Sequence, residues 1–414
     1  NQTLFTLETD SVQVIVDTST GAPVILHWGG SIGSANDAEH LRLATQDLVP
    51  HAELDSIENP GIWREHARGF QGRPAILGDR DGQDWSQLFS INSVESNKNS
   101  LEVISEDSAA GLEVSVRLVL EPSGILRISQ SVKNTGKGKF NLQELTSWLP
   151  LPDYVAETMD FTGRWVKERQ PQRREIQNGI WAREIREGRT GHDYTIIQLA
   201  MTRGANYQNG EVWSLGLQWS GNSRHLVERT TLGRTAIAAG ELLLPGEVSL
   251  EPGQTYSAPS VVAAYSHQGM DGITDRYYRW LRARKQHPTN VRPRPLTLNV
   301  WEAVYFNHDL GKLTELADVA KEIGVERFVL DDGWFGARRD DRAGLGDWVV
   351  SKDVWPNGLS PLVDAVKARG MEFGLWFEGE MVNPDSDFYR AHPDWILHSG
   401  NRSPMTGRFQ QVVD

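Results

Sequence analysis

Hydrophobic and polar residues alternate in short segments through the first 264 residues of the chain. The pattern is clearest where Val12, Val14 and Val16 occupy every second position. Similar segments cover residues 113–121, 125–132, 212–219, 236–244 and 261–265. Alternation of this kind predicts β-strands, and the turn residues between the segments predict antiparallel connections. We therefore expect this part of the chain to form an antiparallel β-sandwich of two large sheets.

Residues 48–70 interrupt this pattern with Pro50, Pro60, Gly61 and residues of both charges. Such a stretch predicts a long excursion between two strands. Long ordered loops are often functional, and the alternative is a loop that covers the sandwich without a further role. The sequence leaves both interpretations open.

The hydrophobic period changes after residue 268. Within residues 269–285, Ile273, Tyr277 and Trp280 recur at helical spacing, which predicts a helix. Residues 287–295 are rich in proline, which forbids a regular helix and indicates a linker. These changes predict a sandwich domain over residues 1–268, a helical linker over 269–295 and a further domain over 296–414.

Beyond the linker, strands alternate with helices. The pattern predicts strands over residues 296–305, 328–330 and 372–377, and helices over residues 313–323 and 359–368. Strand, helix and strand joined by short links are typical of a parallel sheet, which begins either a barrel or a doubly wound sheet. No glycine-rich phosphate-binding loop follows the first strand, so a nucleotide-binding fold is disfavoured and a barrel is favoured.

Carboxylates and aromatic residues lie towards the carboxyl end of each of these strands. The three ends carry Trp301 and Glu302; Asp331, Asp332 and Trp334; and Trp376, Glu378 and Glu380. Aromatic rings stack on the C–H face of a pyranose, and carboxylates accept hydrogen bonds from its hydroxyls. The pattern therefore indicates a sugar-binding pocket at the carboxyl ends of the strands, where α/β barrels keep their active sites. For the second strand, the alternative is an ordinary strand exit in which Asp332 caps the next turn.

Asp331 and Asp332 are poor candidates for the catalytic pair of a glycosidase. The two carboxyl groups of a retaining enzyme flank one anomeric carbon, about 5–5.5 Å apart. Neighbouring residues on a strand point to opposite faces, so these two would flank a common atom poorly. We interpret them as ligands of sugar hydroxyls.

Composition excludes several functions. The formal net charge of −13 and the lack of a sizeable Lys/Arg cluster argue against nucleic acid and anionic membrane surfaces as partners. The chain has no cysteine, its histidines are scattered, and no apolar run approaches the roughly 20 residues of a spanning helix. We expect no metal and no cofactor, and, without a signal-peptide pattern, a cytoplasmic location. The 15 tryptophans fit a protein that stacks on carbohydrate.

A set of longer motifs extends across the chain. In its last third they are Asn299-Val-Trp-Glu-Ala303, Leu330-Asp-Asp-Gly-Trp-Phe-Gly336, Gly346-Asp-Trp348, Gly374-Leu-Trp-Phe-Glu-Gly-Glu-Met-Val-Asn-Pro-Asp-Ser-Asp387, His392-Pro-Asp-Trp395 and Gly407-Arg-Phe-Gln-Gln-Val-Val-Asp414. Earlier motifs are Thr162-Gly-Arg-Trp-Val-Lys-Glu-Arg169 and Ser220-Gly-Asn222. Together these segments closely resemble the α-galactosidases of glycoside hydrolase family 36.

The resemblance implies a multidomain fold, in which an amino-terminal antiparallel β-supersandwich precedes the first part of a (β/α)8 TIM barrel. It also implies retaining hydrolysis that releases terminal α-linked galactose from oligosaccharides such as melibiose and raffinose, by an enzyme that is often a homotetramer. Alternatives within the fold are an α-N-acetylgalactosaminidase or a galactosyltransferase of the raffinose- or stachyose-synthase kind. An alternative of another class is a non-catalytic galactose-binding module.

By the same resemblance, Trp301 and Trp376 line the galactose pocket. Asp331 and Asp332 would accept hydrogen bonds from the 4- and 6-hydroxyls of the sugar. Arg408 would donate to the pocket from a loop after the third strand. These five residues are the substrate-binding residues that the resemblance implies.

Two positions depart from the family pattern, and two motifs are missing. Gly379 stands where the family usually has proline, and Phe409 where it usually has asparagine. The family's nucleophile lies in a Lys-Trp-Asp motif and its acid/base in a glycine-rich motif, and neither occurs in residues 1–414. We therefore assign no catalytic residue in this chain and expect both beyond Asp414, in a longer polypeptide that is truncated here within the barrel. The intact protein is expected to be an α-galactosidase, and residues 1–414 alone are expected to be inactive.

Overall fold

The computed structural model describes residues 2–34, 38–49, 51–55 and 60–414. The chain divides into two compact units, Asn1–Lys285 and Gln286–Asp414. Antiparallel strands make up most of the first unit, and the second combines parallel strands with helices. No helix in these described ranges is long and apolar enough to cross a membrane.

The first unit is built from short strands and two α-helices within the residues that the structure describes. In chain order they are β1 (Leu4–Thr9), β2 (Val12–Asp17), β3 (Val24–Gly30), α1 (Ala38–Thr45), β4 (Ile76–Asp79), β5 (Ser90–Asn97), β6 (Ser100–Asp107), β7 (Leu112–Leu120), β8 (Leu126–Asn134), β9 (Phe140–Leu145), β10 (Ser147–Leu151), β11 (Glu157–Arg164), β12 (Lys167–Glu175), β13 (Gly179–Ile185), β14 (Ile197–Met201), β15 (Val212–Leu217), β16 (Ser223–Arg229), β17 (Thr235–Glu241), β18 (Val248–Leu250), β19 (Thr255–Ser257), β20 (Val261–Ser266) and α2 (Gly269–Arg282).

The largest sheet runs in the order β12-β11-β14-β15-β20-β8-β7-β6-β5, with β19 paired to β8. Smaller sheets run β1-β2-β3, β10-β17-β16-β13 and β18-β9-β4. Each strand pair described in this unit is antiparallel, as the sequence predicts. β20 joins the two halves of the largest sheet, because its Val261 lies opposite Leu217 of β15 on one side and Ile128 of β8 on the other.

Burial along the strands follows the predicted alternation only in part. In β7 and β8 every second residue is buried, whereas in β2, β15 and β20 every residue is buried. β20 shows the reason: Val261 packs in the main core, while Val262 and Ala264 share a second core with Ile273 of α2. A period-two pattern does not reveal a second covering layer. For residues 11–17 the pattern predicts the strand correctly, since β2 spans Val12–Asp17.

Part of the excursion predicted over residues 48–70 packs against the sandwich. Trp63 is buried in the main core, and its indole Nε1 donates a hydrogen bond to Gln130 Oε1 at 3.1 Å. Residues 60–70 therefore cover the core. Pro50 and residues 56–59 lie outside the described residues, and a functional role for this loop stays a prediction.

The second unit alternates strands with helices. Its elements are β21 (Thr297–Asn299), α3 (Trp301–Val304), α4 (Leu310–Glu322), β22 (Arg327–Leu330), α5 (Ser360–Ala368), β23 (Glu372–Leu375), β24 (Met381–Val382), α6 (Asp387–Ala391) and β25 (Gln411–Val412). The division after Lys285 falls within the segment predicted as a linker, and α2 belongs to the first unit. The boundaries at residues 268 and 295 stay predictions.

A parallel sheet in the order β21-β22-β23 positions the residues of interest. Leu298 lies opposite Phe328, and Leu330 lies opposite Leu375, so the carboxyl ends of the strands meet at one edge. α4 begins where the Asp309 side chain accepts a hydrogen bond from the Lys312 N–H at 2.8 Å. The sheet and helices bury an apolar core, whose residues include Val300, Leu313, Ala317, Phe328, Leu330, Leu362 and Val366.

Candidate functional site

Asp331 follows β22 directly and is held by two hydrogen bonds. It is 9% exposed. Its Oδ2 accepts from Asn299 Nδ2 at 2.5 Å, and its Oδ1 accepts from the backbone N–H of Asp332 at 2.6 Å. An ionised carboxylate offers about four lone-pair sites, so each oxygen keeps capacity for a further donor.

Trp301 is positioned through the same asparagine. Asn299 Oδ1 accepts a hydrogen bond from the backbone N–H of Trp301 at 2.8 Å, so one side chain contacts the ends of two neighbouring strands. The Trp301 ring meets the rings of Tyr305 and Phe306 edge-on, at centroid distances of 5.2 and 5.0 Å. These contacts fix the orientation of a partly buried indole at the end of β21.

Asp332 is the more deeply buried of the two carboxylates and pairs with Arg338. Its exposed fraction is 5%, and that of Arg338 is 2%. Arg338 Nε donates to Oδ1 at 3.0 Å, and Nη2 donates to Oδ2 at 2.9 Å, which is a bidentate geometry. A buried carboxylate without a partner would cost far too much free energy, which argues against deep burial at this position. For Asp332 the pairing with Arg338 removes that objection.

Asn383 connects this ion pair to the segment that carries Arg408. Its side chain is fully buried, and its Oδ1 accepts from Arg338 Nη1 at 3.0 Å and from the Leu345 N–H at 2.8 Å. Its Nδ2 donates to the Phe409 carbonyl at 2.9 Å and to the Asp341 carbonyl at 3.1 Å. A continuous set of hydrogen bonds therefore runs from Asp332 to the backbone beside Arg408.

Arg408 lies in a tight turn with an unusual backbone. Gly407 and Gln410 exchange two backbone hydrogen bonds, of 3.0 and 2.9 Å, around Arg408 and Phe409. The φ angles of these two central residues are 51° and 61°. Positive φ at both positions is typical of a type I′ turn, which glycine and asparagine favour. The Arg408 side chain is exposed.

Trp376 follows β23 and neighbours Asp331 across the sheet. Its backbone N–H donates to the Leu330 carbonyl at 3.0 Å. Its own carbonyl accepts a hydrogen bond from Trp334 Nε1 at 3.0 Å, and the Phe335 ring stacks at 6.4 Å with an interplanar angle of 21°. Trp334 is buried in the core, so it supports Trp376 instead of lining an open surface.

Two titratable residues near the Asp331 and Asp332 carboxylates, Glu378 and His308, have shifted pKa values. Burial raises the pKa of Glu378, and the charges of Glu380 and Asp332 add to the increase, while Arg338 and Arg408 oppose it. Burial lowers the pKa of His308 to about 4, so this imidazole is neutral at neutral pH. No group of three or more His, Asp or Glu side chains within the described residues is placed to hold a metal ion.

The five sequence-predicted residues all lie in the second unit, and hydrogen bonds through other side chains link all of them except Trp376. Trp301 and Asp331 share Asn299, and the residue after Asp331 reaches the Arg408 turn through Arg338 and Asn383. Sequence reasoning missed the three linking residues. Asn299 and Asn383 lie within the motifs that resemble glycoside hydrolase family 36, and membership in these motifs is the one sequence signal that could have identified them. No sequence signal identifies Arg338.

Comparison with known proteins matches two family models to this chain. The glycosyl hydrolase family 36 N-terminal domain matches residues 21–251, and the melibiase model matches residues 255–414. The alpha-galactosidase of Escherichia coli is 40% identical over 393 residues, which cover 94% of this chain and 55% of that protein. The chain thus spans about half the length of this curated relative.

Solved structures match the chain over its full extent. The galactosidase domain of the alpha-galactosidase-sucrose kinase AgaSK of Mediterraneibacter gnavus has a TM-score of 0.89 at 27% identity, covering 100% of this chain and 62% of that chain. A doubly substituted variant of AgaA of Geobacillus stearothermophilus, solved in complex with raffinose, has a TM-score of 0.89 at 28% identity, covering 99% of this chain and 61% of that chain. These matches confirm the predicted fold class, an amino-terminal β-supersandwich followed by the first part of a TIM barrel.

Proposed function

The chain belongs to glycoside hydrolase family 36, and we propose that it carries the sugar-binding part of an enzyme that releases terminal α-linked galactose from oligosaccharides. The observation that carries the proposal is the grouping of two carboxylates and two tryptophans at the carboxyl ends of neighbouring parallel strands. In α/β barrels this edge holds the active site. The raffinose bound to AgaA supports an oligosaccharide as the substrate class.

Recognition of galactose would rest on Asp331 and Asp332. Each keeps lone pairs that its protein partners do not occupy, and we expect them to accept hydrogen bonds from the 4- and 6-hydroxyls. The axial 4-hydroxyl distinguishes galactose from glucose. A buried acceptor built for that hydroxyl stays unpaired when the other epimer binds, which allows strong discrimination.

Trp301, Trp376 and Arg408 would complete the sugar contacts. We expect the two indoles to pack against C–H groups of the pyranose, since both rings are partly buried and held by neighbouring aromatic residues. Arg408 has an exposed guanidinium, which suits a donor to a bound hydroxyl. These roles are proposals that the resemblance to the family motivates.

The chemical steps require two further carboxyl groups. In a retaining double displacement, one carboxylate attacks the anomeric carbon while a carboxylic acid protonates the leaving oxygen, and water then cleaves the glycosyl–enzyme bond. Asp331 and Asp332 already accept hydrogen bonds from protein donors and are proposed to bind hydroxyls away from that carbon. We therefore place the nucleophile and the acid/base outside residues 1–414, in the motifs that this segment lacks.

An assay of paired substrates tests the proposal. The intact enzyme that contains residues 1–414 is given an aryl α-galactoside and the matching aryl α-glucoside, and the anomer first released is identified by NMR. We expect turnover of the galactoside, release of α-galactose and little turnover of the glucoside. Equal turnover of both epimers would contradict the recognition by Asp331 and Asp332. Galactose binding without any turnover would favour a non-catalytic module.

A further inference from the structure

A single buried amide joins the two sides of the proposed sugar site. We infer that Asn383 is a positioning residue, which holds the Arg408 turn in register with the Asp332–Arg338 pair. This inference rests on the proposed function, because it assigns a role within the same site. It adds a residue that contacts no sugar in the proposed mode of binding.

The hydrogen bonds of Asn383 are all used within the protein. Its oxygen accepts from Arg338 Nη1 and the Leu345 N–H, and its nitrogen donates to the carbonyls of Phe409 and Asp341. An amide side chain offers two donors and two lone pairs, so nothing remains for a ligand. Full burial excludes solvent as well. A buried polar group with every bond satisfied acts on its neighbours, not on a ligand.

The Arg408 turn needs such support. Arg408 and Phe409 both have positive φ, which costs free energy for residues other than glycine and asparagine. Conformations of this kind persist where the surrounding structure holds them in place. The hydrogen bond from Asn383 Nδ2 to the Phe409 carbonyl lies within the turn itself, and the Arg342 guanidinium lies 5.3 Å from the Phe409 ring centroid.

Arg338 connects Asn383 to Asp332, on the other side of the proposed site. Its guanidinium is planar, and two of its nitrogens bind both oxygens of Asp332. The third nitrogen, Nη1, lies in the same plane and donates to Asn383. The orientation of the Asp332 carboxylate therefore sets the position of Arg338 Nη1, which donates to Asn383. Asn383 in turn holds the Arg408 turn through the Phe409 carbonyl.

In the intact enzyme, Asn383→Asp should break the connection to the Arg408 turn and keep the connection to Arg338. The substitution keeps an acceptor for Arg338 and Leu345 but removes both donors, including the one to the Phe409 carbonyl. We expect the Kd for galactose, measured by calorimetry, to rise about tenfold. The reason is that a displaced Arg408 loses one hydrogen bond between its charged group and the sugar. KM should rise with little change in kcat, as for a contact made equally in the ground and transition states.

The decisive measurement is the coupling between Asn383 and Arg408. In an Arg408→Ala background, Asn383→Asp should weaken galactose binding by less than about twofold, since its effect acts through a side chain already removed. Arg338→Lys provides a second route, because it keeps a cation near Asp332 but loses the planar donor to Asn383. Arg338→Lys also loosens the bidentate hold on Asp332, a proposed sugar ligand, so only the part of its effect that passes through Asn383 should disappear in the Arg408→Ala background.

Asn134→Asp is the matched control. Asn134 is also fully buried; its Oδ1 accepts from Arg80 Nη2 and the Gly136 N–H at 3.1 Å each, and its Nδ2 donates to the carbonyls of Gly138 and Leu250 at 2.8 Å each. It lies in the sandwich unit. The substitution should lower thermal stability as Asn383→Asp does but leave the Kd for galactose unchanged.

The outcomes separate this inference from the proposed function. Weaker binding in Asn383→Asp that is lost in the Arg408→Ala background, together with a partial loss of the effect of Arg338→Lys, supports the inference. Unchanged affinity in Asn383→Asp, or a loss that adds in full to that of Arg408→Ala, would overturn it while the wild-type enzyme still binds galactose. A wild-type enzyme without affinity for galactose would overturn the proposed function and this inference together.

Discussion

Asp331→Asn tests the proposed sugar contacts most directly, because both oxygens of this carboxylate already accept hydrogen bonds. Oδ2 accepts from Asn299 at 2.5 Å and Oδ1 from the Asp332 N–H at 2.6 Å. An amide at this position replaces one of the two acceptor oxygens with an NH2 donor. In either orientation, that donor faces another donor, which is Asn299 Nδ2 or the Asp332 N–H. The substitution therefore removes the charge and also weakens the contact that orients the side chain.

The expected loss of affinity follows from the charge. A hydrogen bond that involves a charged group contributes about 1.5–3 kcal/mol. Its removal should raise the Kd for galactose about ten- to a hundred-fold. The internal hydrogen bond that is lost also involves the charged carboxylate, so its loss should cost about 1.5–3 kcal/mol of folding free energy. This cost is smaller than the roughly 5–15 kcal/mol that stabilises a typical protein, so the variant should fold.

Calorimetric titration of the intact enzyme with galactose measures the effect, with circular dichroism as the check on folding. A second variant combines Asp331→Asn with Asn299→Asp. It restores the donor–acceptor pair between the two positions and keeps an acceptor for the Trp301 N–H, but it moves the charge. Affinity that stays low in the double variant would assign the sugar contact to the charge at position 331. Unchanged affinity in the single variant would refute the reasoning.

Three further predictions concern other parts of the chain. Burial lowers the pKa of His225 to about 4, so the unfolded chain binds this proton more readily, and the stability present above about pH 6.5 should fall by roughly 3 kcal/mol as the pH drops towards 4. Thermal unfolding between pH 7 and 4.5 should show the fall, and His225→Gln should reduce it. Phe409→Gly removes the cost of a positive φ and should raise stability by about 1 kcal/mol, which a higher unfolding temperature would verify. Residues 1–414 expressed alone should hydrolyse no aryl α-galactoside; turnover near that of the intact enzyme would mean that the carboxylates interpreted here as ligands perform catalysis.

Backbone positions in the second unit could be predicted from the sequence, because local rules govern them. The unbroken apolar run at residues 328–330 predicts a buried strand, and glycines close the helices on either side. Asp331 and Asp332 are therefore expected at a strand end, where the structure has them. The predicted first strand, residues 296–305, proved too long, since β21 ends at Asn299 and the next residues form the short helix α3.

Polar partners could not be predicted, because nothing periodic connects them. Arg338 lies in an irregular segment, and its bond to Asp332 depends on how that segment folds back. Asn383 binds residues at positions 338, 341, 345 and 409, which are brought together by the second unit as a whole. The burial of Asp17 could not be predicted for the same reason. Its partner Arg42 lies in the helix α1, which the alternating pattern does not predict.

The central place of β20 has a consequence for how the chain folds. The strands β5 to β8 pair among themselves, and so do β11, β12, β14 and β15, but these two parts of the largest sheet join only when β20 enters between β8 and β15. Because pairing across such long sequence separations is slow, we expect a late folding step at which two open sheet edges close together. During synthesis these edges stay exposed until residue 266 has emerged, a period when aggregation competes with folding. Pulse-labelled hydrogen exchange should find the β8 and β15 amides that face β20 protected last; early protection of both would contradict this order.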